Sequence, residues 1–270
     1  MRWAQACVGA GSEAWPRLLA DIGGTNARFA WRSQPSAPMT HRQVLACADF
    51  AGPAEAIRAY LRDAQVPMPK SAALAMAVPV VTDWVQMTNS SWAFSIEALC
   101  ADLGLQKLLV LNDFTALDLA LPTLGVHQLH DLGPALAGRE GPLALLGAGT
   151  GLGVSGLLQS SAGSGWVPIM GEGGHVSLAA SNDLEFAVIR ALGRQYGHVS
   201  AERVLSGSGL VDVHQVLSLM QGRAHDPALD AAQVVTLGLQ ASDGVARQTL
   251  DLLDRKSTRL NSSHTDISRM

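Results

Sequence analysis

Charge is scarce in this chain. Asp, Glu, Lys and Arg make up 16% of its 270 residues, and lysine occurs only at Lys70, Lys107 and Lys256. With a formal net charge of −4 there is no basic stripe of the kind a nucleic-acid surface presents, so no nucleic-acid partner is expected. Cysteine is scarce too: Cys7, Cys47 and Cys100 are odd in number, widely spaced and never part of a CxxC. That excludes a disulfide framework and a zinc site, and fits reduced thiols in a cytoplasmic protein. No uninterrupted apolar run is long enough to span a membrane. Residues 1–16 lack the basic start and apolar block of a signal peptide.

What the chain does have is apolar and small residues, with 48% hydrophobic content and 27 glycines. Short apolar runs read as strands: "AALAMAVPV" (72–80), "KLLVLND" (107–113) and "PLALLG" (142–147). Helical stretches lie between and after them. "SIEALCADLG" has Ser95 as N-cap and Gly104 as stop. "SNDLEFAVIRALGRQYG" starts polar and carries an apolar stripe through Phe186, Ile189 and Leu192, and "SAERVLSGSG" opens another helix after Ser200. Alternating strands and helices predict an α/β protein with largely parallel sheets. Pro122 and Gly125 in "LALPTLG" mark a hinge.

The expected organisation is an N-terminal extension over 1–16, a small α/β domain over 17–123, and a larger α/β domain over 124–254. A tail over 255–270 follows. "RKSTRLNSSHTDISRM" is polar and lacks an apolar period, which fits disorder or a non-native extension after the amphipathic "VARQTLDLLD".

Two glycine-rich segments stand out. "DIGGTNARFAW" begins at Asp21, and "LGAGTGLGVSG" begins at Leu146; a gapless overlay puts Gly24 on Gly149 and Thr25 on Thr150. Each is an apolar strand, a Gly-Thr turn and a second apolar strand, so the pair points to a duplicated domain. Bare turns let anionic oxygens reach backbone N–H groups. No Gly-Lys-Ser/Thr of a P-loop occurs. "GLGVSG" fits GxGxxG, but no helix follows it, which argues against a Rossmann site. Asp21 ends a strand beside the first turn, where its carboxylate would repel phosphate unless a cation lies between them. Mg²⁺ is the natural companion, since hard cations take oxygen ligands. The plain alternative for Asp21 is a turn cap.

"DIGGTNAR", "NDFTAL", "GAGTGLG", "GEGGHVS" and "GHVSAERVLSGSGL" resemble, in order, the motifs of bacterial glucokinases, over roughly Leu18 to Asp254. The resemblance implies a two-domain actin/hexokinase-type (ribonuclease H-like) α/β fold with a central cleft. It also implies ATP and Mg²⁺ as co-substrates and phosphoryl transfer to O6 of glucose, with glucose and ATP as the partners and a homodimer as the assembly. It puts Ala20, Asp21, Ile22, Gly23, Gly24 and Thr25 in the first ATP-phosphate loop and Gly149, Thr150 and Gly151 in the second. Asn112 and Asp113 fall on the sugar-binding pair, with Asp113 as general base. Glu172, His175 and Glu202 fall on the remaining glucose ligands. A sugar pocket needs such carboxylates, amide and imidazole aimed inward.

Each residue also has a plainer reading. Asn112 can cap a turn, Glu172 can be a solvated loop acid, Glu202 can be a first-turn helix acid, and His175 an isolated loop histidine. Where the family continues with a further strand pair and a final helix, nothing recognisable follows Asp254. The activity of the chain as it stands is therefore open. A kinase for another hexose or amino sugar, and a truncated sugar-binding fragment, remain as alternatives.

Overall fold

The computed structural model describes residues 5–8, 14–88, 90–130, 141–160, 165–169, 171–224, 226–240 and 242–262. The chain divides into two compact units. The first is Met1–Pro142 with Leu157–Met170, and the second is Leu143–Gly156 with Gly171–Met270. The division falls later than the 123/124 boundary expected from "LALPTLG". Pro122 sits in a 3₁₀ turn, Leu121–Thr123, that continues directly from the preceding helix. It ends that helix.

The first unit is built on a six-stranded sheet. Its strands are β1 (Gln5–Val8), β2 (Arg17–Ile22), β3 (Asn26–Arg32), β4 (Thr40–Ala46), β5 (Ser71–Met76) and, after the small hairpin β6 (Trp84–Gln86) and β7 (Ala93–Ser95), β8 (Lys107–Asn112). The order is β1-β8-β5-β2-β3-β4. β2 and β3 form the antiparallel hairpin expected around "GGT", while β2, β5 and β8 run parallel. β5 ends at Met76, short of the expected run to Val80, which contains Pro79, a residue that cannot donate to a ladder. β1 lies antiparallel to β8 with Gln5 opposite Val110, so part of the expected N-terminal extension is an edge strand. Residues 1–4 and 9–13 of that extension lie outside the described residues.

Alternation does the rest. Leu18, Ile22, Phe29, Leu74, Met76, Leu108 and Val110 pack with Ile57 and Tyr60 of α1 (Pro53–Asp63) and Ile96 and Leu99 of α2 (Ile96–Asp102) into one core. α2 is capped as its sequence predicts: Ser95 Oγ accepts the Ala98 N–H at 3.1 Å, and Gly104 lies just beyond it at φ +61°. β8 runs straight into α3 (Asp113–Ala120).

The second unit opens with β9 (Leu143–Ala148) and a tight turn into β10 (Leu152–Gln159), whose far half, with β11 (Trp166–Ile169), belongs to the first unit. Its helices are α4 (Asp183–Tyr196), α5 (Ala201–Val204), α6 (Gly207–Met220), α7 (Ala231–Leu239) and α8 (Gly244–Ser262). Ser206 recaps the chain between α5 and α6 by accepting the Gly209 N–H at 3.1 Å. The single helix expected after Ser200 is therefore two.

Two further differences from the sequence reading share one cause. The buried stripe of α4 runs through Glu185, Val188 and Leu192, whereas Phe186 is 58% exposed. α8 does not stop at Asp254 but continues to Ser262, with Lys256 buried. Lys256 Nζ meets Glu185 Oε2 at 2.5 Å and donates to Ala179 O at 2.7 Å and Ser181 Oγ at 3.2 Å. The Ser181 N–H donates to the same Glu185 oxygen at 2.7 Å. A paired, hydrogen-bonded carboxylate can be buried where a lone one cannot. Residues 263–270 of the expected tail lie outside the described residues.

Burial alone would raise the Glu185 carboxyl, but the hydrogen bonds from Lys256 and Ser181 and the Lys256 charge bring it below its ordinary value. Its contribution is thus present above the unfolded carboxylate pKa and is lost as pH falls through the lower folded one. Lys256→Ala should cost about 3–5 kcal/mol in urea unfolding at neutral pH, because it strands a buried carboxylate. The double substitution Glu185→Leu/Lys256→Met should recover most of that loss.

Candidate active site

In the first unit the parallel register fixes the site. Ile22 stands beside Met76 and Met76 beside Asn112, so the carboxyl ends of β2, β5 and β8 finish level. Ligands in α/β sheets bind at that end. Asp21, exposed near the end of β2, and Asp113, at the first position of α3, therefore occupy the same edge.

Asn112 and Asp113 are tightly organised. Asn112 caps α3, its Oδ1 accepting the N–H groups of Phe114 at 3.0 Å and Thr115 at 3.2 Å. Its Nδ2 donates to Asp113 Oδ1 at 2.9 Å and to Val78 O at 3.4 Å. Asp113 Oδ1 also accepts the Phe114 N–H at 2.8 Å. One carboxylate oxygen is thus fixed, and among the described residues Oδ2 has no partner. Burial pushes the Asp113 carboxyl up from its ordinary value, the Phe114 N–H and Asn112 pull it down, and the Asp21 charge pushes it up; the balance is a raised pKa.

Of the first predicted loop, Ala20 and Ile22 are core positions of β2 whose side chains face away from any ligand. The turn itself is Gly23, Gly24 and Thr25. The Gly23 N–H closes it on Asn26 O at 2.9 Å, and Thr25 O accepts the Cys47 N–H at 2.8 Å. Among the described residues the N–H groups of Gly24 and Thr25 have no hydrogen-bond partner, as an anion cradle requires. A residue that the sequence reading missed is Arg28, whose Nη1 lies 3.0 Å from Asp21 Oδ2. The β2–β3 register, Asp21 opposite Arg28, is the signal that could have found it. Among the described residues no group of three or more His, Cys, Asp or Glu side chains could hold a metal ion. A single exposed carboxylate suits Mg²⁺ that arrives with phosphate and not an ion the protein holds by itself.

The second unit brings its predicted residues together. The Gly149 N–H donates to Gly151 O at 2.8 Å, closing the β9–β10 turn, and among the described residues the N–H groups of Thr150 and Gly151 have no partner. Behind it, Gly174 lies so close to Leu152 that a Cβ there would collide with the Leu152 carbonyl oxygen. This contact holds the short turn Gly173–His175 against β10, and the Ala201 N–H ties the next residue, Val176, to α5 at 2.8 Å. As a result His175 Nε2 is 3.4 Å from Glu202 Oε1, and His175 Nδ1 is 4.0 Å from Glu172 Oε2. Glu172 and His175 are well exposed; Glu202 is about one-third exposed. Two carboxylates around an imidazole make a polar cluster that can accept and donate to several hydroxyls.

No helix among the described residues is long and apolar enough to cross a membrane. A family model described as Glucokinase matches residues 18–257. The chain is 47% identical over 234 residues to a glucokinase of Aromatoleum aromaticum, covering 86% of this chain and 69% of the relative. It is 44% identical over 238 residues to a glucokinase of Neisseria meningitidis serogroup C, covering 88% and 71%. A solved structure of a glucokinase from an Antarctic psychrotroph superposes with a TM-score of 0.78 at 33% identity, covering 88% of this chain and 74% of that one.

The Asp113 environment is directly measurable. Its carboxyl ¹³C shift should titrate with a midpoint above the ordinary aspartate value. Asp21→Asn should move that midpoint down, because it removes a negative charge that disfavours the ionised form. An unchanged midpoint would show that the two carboxylates do not interact.

Proposed function

This chain belongs to the glucokinase family, and from that premise we propose that it transfers the γ-phosphoryl group of ATP to O6 of glucose. The observation that carries the proposal is the half-fixed carboxylate of Asp113. Its Oδ1 is held by the Phe114 N–H and Asn112, and its Oδ2 is left to accept a proton. Asp113 takes the O6 proton as that oxygen attacks phosphorus. Its raised pKa makes it a better proton acceptor than an ordinary aspartate.

The remaining residues bind and orient. Gly23, Gly24 and Thr25, and Gly149, Thr150 and Gly151, offer backbone N–H groups to phosphate oxygens. Glu172, His175 and Glu202 take sugar hydroxyls. Asp21 would hold Mg²⁺ through Oδ1 or through water, and the ion supplies charge neutralisation at the phosphates. Positioning and neutralisation are what a loose phosphoryl-transfer transition state demands of a protein. The single carboxylate of Asp21, shared with Arg28, supports an ion that enters as part of the nucleotide.

A coupled ADP assay with glucose, mannose, fructose and glucosamine in competition tests the reaction and the sugar. Phosphorylation of glucose in preference to the others is expected; preference for an amino sugar would move the assignment to that substrate. Asp113→Asn should lower kcat by about 10²–10⁴-fold, the usual weight of a general base. Glucose affinity should change little. Near-normal turnover would remove Asp113 from the role.

A further inference from the structure

The loop Gly149–Gly151 is held from one segment, and one of its two holds is a residue assigned above to the sugar. Glu202 Oε2 accepts the Leu152 N–H at 2.9 Å, immediately after the loop. The Gly207 N–H donates to Gly149 O at 2.9 Å, at its start. Both holds come from residues 202–207, between the first turn of α5 and the start of α6. The fit is close: a Cβ at Gly151 would stand 2.5 Å from Glu202 Oε2. A side chain at 151 would therefore displace the Glu202 carboxylate from its place, whatever phosphate asks of Gly151.

We propose that Glu202 is a positioning residue for the phosphate loop as well as a sugar ligand. One of its oxygens sets the Gly149–Gly151 turn, and the other faces His175. The two carboxylate oxygens divide the work. Oε2 is committed to Leu152, and Oε1, 3.4 Å from His175 Nε2, is the one left for a hydroxyl. A sugar that engages Oε1 restricts rotation of the whole carboxylate and so steadies the Leu152 hold. Sugar then raises the affinity of the loop for phosphate, and by linkage phosphate raises the affinity for sugar to the same degree. The proposal rests on the functional reading above for the identity of the two ligands, but not for the coupling between Glu202 and Gly151.

The test is a cycle of Gly151→Ala, Glu202→Ala and the double variant, with Glu202→Gln beside it. The probe is a non-hydrolysable ATP analogue, with glucose absent and then present. Each single alanine variant should weaken analogue binding about threefold to tenfold, the scale of one lost hydrogen bond. The double variant should be about as weak as either single one, since both remove the same contact. Glu202→Gln keeps an acceptor for the Leu152 N–H and should hold analogue affinity within about twofold of the parent while losing the enhancement by glucose. Additive effects in the cycle, or parental analogue affinity in Glu202→Ala, would overturn the proposal.

Two measurements without nucleotide decide it independently. Leu152 amide exchange should be slow in the parent and in Glu202→Gln and fast in Glu202→Ala; equal rates in all three would overturn it. The same cycle read in urea unfolding should be non-additive, and additivity there would overturn it. If the parent chain bound no analogue, the functional reading would fail, and these two measurements would still settle the role of Glu202.

Discussion

The level finish of three parallel strands is what the candidate site residues of the first unit depend on. Because Ile22, Met76 and Asn112 stand in one row across β2, β5 and β8, the residues around them are brought to one sheet edge with no loop of their own to arrange them. A one-residue slip in either pairing would turn the strand over and bury Asp21 or expose its core neighbours. The apolar alternation of Leu18, Ala20 and Ile22 forbids that slip. The core of the unit thus sets the spacing of its two carboxylates. The arrangement carries an electrostatic cost, since Asp21 opposes ionisation of Asp113. That repulsion raises the Asp113 pKa, and Arg28 shares the charge of Asp21.

The candidate residues of the second unit are organised by close packing and not by strand register. Leu152 is their centre, with its N–H taken by Glu202 and its carbonyl oxygen covered by Gly174. A side chain at 174 would push the turn that carries His175 off the Leu152 backbone, and one at 151 would displace the Glu202 carboxylate. The glycines of "GAGTG" and "GEGG" therefore have two purposes that sequence cannot separate. Some leave room for a ligand, and others leave room for the protein's own polar groups. Gly151 meets the second condition in full.

The legible parts of the chain were those whose chemistry is local. The "GGT" turn, the Ser95 cap and the strand of "KLLVLND" each follow from residues within a few positions of one another, and the structure has all three, with that strand ending one residue early at Asn112. What was not legible depended on partners far along the chain. A carboxylate at 185 reads as solvent-facing and Phe186 as core until Lys256 arrives to pair with Glu185. Lys256 in turn reads as part of a polar tail until that acid is waiting for it. Each half of a buried ion pair looks misplaced alone, so the stripe of α4 was read through Phe186 and Ile189 instead of Glu185 and Val188, with Leu192 common to both, and α8 was cut short. A proline that ends a helix, as Pro122 ends α3, looks the same in sequence as one that hinges two domains.

Asn112 shows where two readings of one residue meet. As a cap it was the plainer alternative, and as half of a sugar-binding pair it was the sharper one. A carboxamide has two N–H donors and two acceptor lone pairs. Here Oδ1 takes two helix N–H groups, and Nδ2 gives one hydrogen to Asp113 and one to Val78 O. These bonds are not equal: the one to Val78 O, at 3.4 Å, is the longest of the four and lies beyond the usual range for N–H···O. A sugar hydroxyl that accepts from Nδ2 would displace that bond and leave the cap and the hold on Asp113 intact. Capping and sugar binding therefore do not compete for the same lone pairs, and the helix cap is what aims the remaining hydrogen.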